Sequence, residues 1–156
     1  MSGWVLAGAV LAVGLVAPVP KGKNRPTEAE VRQQLAGFWD VVNPPAGSSV
    51  QWFFDDGQAT ELTSGVESLA SVGGYRLNVI REPVWLDLYI RDNGRCVVVP
   101  GIIKFDGETL VWVVGEGQPV GEPVWEKRTA NPPGRPTTFE SKKPGDGVRR
   151  TLRKAK

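Results

Sequence analysis

The sequence predicts an all-β chain: its strand spacing fits a sandwich or a barrel, and its hairpin turns favour an antiparallel up-and-down barrel of about 8–10 strands led by a short N-terminal helix. Three observations point there. Short segments that alternate apolar with polar residues follow one another through most of the chain, with almost no helical periodicity between them. Asp56-Gly57, Asn93-Gly94 and Asp106-Gly107 separate neighbouring segments, and such dipeptides suit two-residue hairpin turns because both positions tolerate positive φ. Nineteen glycines and 13 prolines in 156 residues serve many tight turns better than long helices.

The elements follow in order. Residues 1–20 carry no charged side chain, and Trp4–Val19 is almost wholly apolar or glycine. That run is short beside the ~20 residues of a spanning helix and suits the apolar region of a secretory signal, with Leu15-Val16-Ala17 resembling a cleavage site. No Lys or Arg precedes it, and Pro18 follows Ala17, so a later cut or an uncleaved anchor stays open. The expectation is an exported protein whose residues 1–20 are a signal peptide or apolar anchor, with membrane contact confined to that segment. Residues 21–26 read as a linker, 27–153 as the barrel domain and 154–156 as a basic tail.

Thr27-Glu28-Ala29-Glu30 is a capping box that starts a helix running to about Leu35, where Gly37 can end it. Strands are expected at Phe38–Val42, Val50–Asp55, Gln58–Thr63, Tyr75–Arg81 after Gly73-Gly74, Val84–Ile90, Cys96–Val99, Ile102–Phe105 and Leu110–Val114. Thr137–Ser141 and Val148–Leu152 close the set. Residues 115–135 are rich in Gly and Pro and read as loop, with Val124–Lys127 a candidate short strand.

Composition removes several function classes. The chain has no histidine, which takes away the usual general base and the commonest zinc ligand. Its single cysteine, Cys96, can form neither an internal disulfide nor a cysteine zinc site. A formal charge of +2 does not announce a nucleic-acid partner. Asp55-Asp56 and Glu108 sit at hairpin turns, where acidic residues serve the backbone. No catalytic residue, metal or cofactor is assigned, and the chain is read as a non-enzyme; a carboxylate pair converging from distant strands is the third reading.

Leu35-Ala36-Gly37-Phe38-Trp39-Asp40-Val41-Val42 resembles the opening strand of lipocalin-type barrels, with their Gly-x-Trp. Three further segments follow it in order: Trp85-Leu86-Asp87-Leu88, Gly101-Ile102-Ile103-Lys104-Phe105-Asp106-Gly107-Glu108-Thr109-Leu110 and Arg135-Pro136-Thr137-Thr138-Phe139-Glu140. The set is similar to an uncharacterised lipocalin-like domain family abundant in planctomycetes, over residues 33–153. The resemblance implies an antiparallel barrel, often exported, with no established reaction. Gly115–Gly134 is longer than the family pattern leads one to expect. In lipocalins an arginine near the last strand packs over the first-strand tryptophan. Arg150 and Arg153 compete for that part, and alternation with Val148 and Leu152 favours Arg150. Gly37, Trp39 and Arg150 are therefore expected to close the barrel, through a cation–π contact worth ~0.5–2 kcal/mol.

Alternation places Trp39, Val41, Trp52, Phe54, Tyr75, Leu77, Val79, Ile103, Phe105 and Phe139 inside. These residues either line an apolar cavity or fill a solid core. The candidate ligand-binding set is Trp52, Phe54, Tyr75, Leu77, Asp87, Ile103 and Phe105. Asp87 lies between Trp85 and Tyr89 and is a ligand anchor if that face points inward, or an ion-pair partner of Arg76, Arg81 or Arg135. The leading expectation is a carrier of a small, largely apolar molecule. The alternative is a solid barrel whose loop 115–135 meets a protein partner.

Overall fold

The computed structural model describes residues 25–64, 69–92, 94–120, 132–140 and 147–156. The expected signal or anchor at 1–20 and the candidate strand Val124–Lys127 lie outside these residues. One helix, α1 (Glu28–Leu35), precedes ten strands: β1 (Gly37–Val41), β2 (Ser49–Asp55), β3 (Gln58–Ser64), β4 (Leu69–Asn78), β5 (Val84–Asp92), β6 (Arg95–Val99), β7 (Gly101–Asp106), β8 (Thr109–Val114), β9 (Gln118–Val120) and β10 (Val148–Lys154). All pairings are antiparallel, and β1, β2, β3, β4, β5, β7, β8 and β10 close into an eight-stranded barrel through β4–β5 and β1–β10. The first strand meets the last, as closure of a barrel requires: Trp39 stands opposite Lys154 and Val41 opposite Leu152.

The helix begins as its sequence dictates. Thr27 Oγ1 accepts from the Glu30 amide at 3.2 Å, and Glu30 Oε2 accepts from the Thr27 amide at 2.7 Å. Val31 and Leu35 form its buried stripe and seat it across one end of the barrel, here called the lower end. Gly37 follows with φ 106°, a conformation that suits glycine, and swings the chain into β1. The turns Asp56-Gly57 and Gly107-Glu108 lie at the same end.

Four expectations need correction. Gly73-Gly74 does not precede its strand but lies inside β4, where only glycine fits at 73: a Cβ there would come within 2.5 Å of the Tyr89 carbonyl on β5. Residues 137–140 form no strand, so Phe139 is not an inward strand residue; it lies on the outside, with Lys104 Nζ 4.8 Å from its ring. The loop expected from 115 onward instead supplies β9, which pairs with β6 and carries the β7–β8 ladder past a break at Pro100 and Gly115. Lys154 is no frayed tail: it ends β10, and Ala155 N–H donates to the Phe38 carbonyl at 2.9 Å.

Two layers of apolar side chains are buried. The inner one fills the lower barrel with Leu35, Trp39, Phe54, Tyr75, Leu86, Ile103, Leu110, Trp112 and Leu152. The outer one covers β5–β8 with Tyr89, Val98, Ile102, Val111 and Val113. Segment 132–140 crosses that outer face, and its Pro132 and Pro136 are buried. This explains why Leu110–Val114 is apolar at every position: a strand covered on both faces has no solvent side to mark.

Candidate functional site

The upper half of the barrel holds a cavity of about 130 Å³. Its walls come from strands around the barrel: Trp52 on β2, Ala59 and Glu61 on β3, Gly73 on β4, Leu88 and Ile90 on β5, Val99 on β6, Trp112 and Val114 on β8, and Arg150 on β10. Register brings these together. Trp52 pairs with Glu61, and Arg150 pairs with Trp112, so four inward side chains meet at one level. The Trp52 and Trp112 rings meet edge to face, centroids 4.9 Å apart at 83°.

The polar side of the cavity is one ion pair. Arg150 Nη1 stands 3.5 Å from Glu61 Oε2, and the guanidinium lies 5.5 Å from the Trp52 ring centroid. Both side chains keep about three-tenths of their surface in contact with solvent, at 31% and 27%. Contact at that length and exposure is weak. The indole N–H groups of Trp52 and Trp112 are buried and find no acceptor among the described residues.

The expected barrel closure is corrected in one partner. Arg150 does point inward, as alternation requires, but it covers Trp52 and not Trp39. The residue over Trp39 is Lys154, with Nζ 4.6 Å from the ring centroid. Two alternations along β10 separate the two cations, and register decides which tryptophan each one meets. Lys154 Nζ also donates to the Gln34 carbonyl at 3.1 Å and to the Ala36 carbonyl, the exposed acceptors at the end of α1. Burial holds its pKa below the ordinary lysine value. Trp39 itself is buried, and its indole donates to the Leu35 carbonyl at 2.7 Å.

The expected ligand set divides into four groups. Trp52 lines the cavity. Phe54 and Tyr75 are packed edge to face, centroids 5.7 Å apart, in the solid lower core; neither reaches the cavity. Arg32 covers Tyr75 from outside at 5.2 Å. Leu77 is half-buried against the same core. Ile103 and Phe105 border a second hollow of about 900 Å³ between α1 and the lower barrel, together with Val31, Val79, Val84 and Phe139.

Asp87 faces away from the barrel interior. Leu86 and Leu88 take the inward positions of β5, and Asp87 pairs outside with Arg135 through two bonds of 2.7 Å. Arg135 Nη1 donates further to the Gly101 carbonyl at 2.8 Å, and its guanidinium stacks 3.9 Å from the Trp85 centroid. The two side chains are only 4% and 15% exposed. Of the alternatives open for Asp87, this is the ion pair, and it clamps segment 132–140 onto the sheet.

Glu61, Leu88, Ile90, Trp112 and Val114 escaped the sequence reading as cavity residues. Alternation along Gln58–Ser64 puts Glu61 on the face of Ala59, so its inward position was available. For Trp112 no signal existed, since its neighbours are apolar on both sides. Among the described residues no three Cys, Asp or Glu side chains gather into a metal-binding group, and no helix is long and apolar enough to cross a membrane. Comparison with family models, curated proteins and solved structures returns no match.

Proposed function

We propose that this chain is an exported lipocalin-like barrel that binds a small, largely apolar molecule in the cavity beside Trp52, without catalysing a reaction. The cavity carries this reading. Its about 130 Å³ is bounded mainly by Trp52, Leu88, Ile90, Val99, Trp112 and Val114. A hollow near 150 Å³ with apolar walls admits a benzene-sized molecule. The charge-free run of residues 1–20 supports export. The packed lower core around Phe54 and Tyr75 confines an occupant of this cavity to the upper half of the barrel.

The test is binding of benzyl alcohol followed by tryptophan fluorescence and by NMR of the indole N–H signals. Saturable binding is expected, with shifts at Trp52 and Trp112. Ala59→Leu grows a side chain from the cavity wall into the hollow. That variant should stay folded, with unchanged or higher stability, and lose the binding. A wild-type protein that shows no saturable binding would leave the solid-barrel reading, in which the module works through surface contacts.

A further inference from the structure

The polar groups around the cavity are unequal in kind. The donor is the Arg150 guanidinium. Against it stands one carboxylate, Glu61. A guanidinium carries five N–H donors in a planar fork. Here its one side-chain acceptor among the described residues is Glu61, at 3.5 Å from a single nitrogen. The Trp52 ring 5.5 Å away holds the fork over the hollow. Glu61 is 27% exposed and can turn to water without being stranded.

We infer that the occupant is a compact monocarboxylate: an aromatic or branched apolar body of about six to eight heavy atoms in the hollow, its carboxylate taking both arms of the Arg150 fork. This rests on the proposed binding function and specifies its ligand. A planar carboxylate satisfies the fork with two parallel bonds, which Glu61 does not achieve from its place on β3. An ammonium ligand would have Glu61 alone for a partner and would face Arg150 as a like charge. Glu61 then acts as a placeholder that keeps Arg150 oriented while no ligand is bound.

Three near-isosteric probes separate the possibilities: benzoate, benzyl alcohol and benzylamine, titrated at neutral pH and constant ionic strength. Benzoate should bind about tenfold tighter than benzyl alcohol, and benzylamine weakest, as expected for a desolvated charge-assisted pair. Arg150→Gln should bring the benzoate-to-benzyl-alcohol affinity ratio to one or below, and Arg150→Lys should give an intermediate ratio. Glu61→Gln should raise benzoate affinity severalfold, because it removes both the competitor for Arg150 and a negative charge. Benzyl alcohol binding as tightly as benzoate, or benzylamine tightest of the three, would overturn the carboxylate assignment while the binding function stands. Failure of all three to saturate would overturn both. The wild-type ratios decide the matter even if a variant does not fold.

Discussion

Arg150 and Lys154 show how much two positions along a strand matter. Both are cations of β10 over a tryptophan ring, yet they hold different things together. Lys154 joins three elements: it covers Trp39 on β1 and accepts the role of cap for α1, whose terminal carbonyls would otherwise lack donors. Arg150 faces a partly open cavity and a long, exposed contact to Glu61. Lys154→Ala should therefore cost about 1–2 kcal/mol of stability, whereas Arg150→Ala should cost less than about 1 kcal/mol. Urea denaturation of the two variants checks the order; a larger loss for Arg150→Ala would mean that Arg150 closes the barrel after all. Alternation was enough to turn Arg150 inward. It could not say which ring lay across from it, because both tryptophans have inward neighbours on β10 within reach of a long side chain.

At the scale of elements, α1 is the piece whose stability titrates. The Thr27 backbone amide, and next its hydroxyl, hold the Glu30 carboxyl below its ordinary value of 4.5. A carboxyl with a lowered pKa in the folded state stabilises it above the unfolded pKa, and that contribution is lost as pH falls through the folded pKa. The Thr27 amide signal should accordingly shift with a midpoint below 4.5, and Glu30→Gln should abolish the shift. A midpoint at or above that value would mean that the box is open in solution. The helix with its cap and the Asp56-Gly57 turn were legible because each is written in residues close in sequence, Thr27 with Glu30 and Asp56 with Gly57; the turn expected at Asp106-Gly107 falls one residue later, at Gly107-Glu108, because Asp106 still pairs with Thr109, and Asn93 lies outside the described residues. Gly73-Gly74 is the counterexample: it lies inside β4 and not ahead of it, and its purpose, the close approach of the Tyr89 carbonyl from another strand, is announced by no neighbour in sequence.

The whole molecule is a barrel with a second apolar layer strapped to one side. The clamp on that layer is the Asp87–Arg135 pair, buried on the face opposite the cavity. Asp87→Ala would leave a guanidinium buried without its carboxylate, and should cost about 3 kcal/mol or more. Hydrogen exchange should accelerate at Ile102 and Val113, which lie under the strap. Affinity for benzyl alcohol should stay within about twofold, since no cavity wall changes. A large loss of binding with little loss of stability would return Asp87 to the ligand site. By itself the sequence determined the class: turn dipeptides, alternating strands and a capped helix are short-range properties, and together they left an antiparallel sandwich or barrel as the way to bury so many half-apolar segments, with closure decided by the pairing of β1 with β10. Which residues face the cavity, which cation covers which indole and which side of Val84–Ile90 points inward were decided only by tertiary pairing. Those outcomes depend on register between strands far apart in the chain, and moving a pairing by a single residue would exchange the inner face for the outer one.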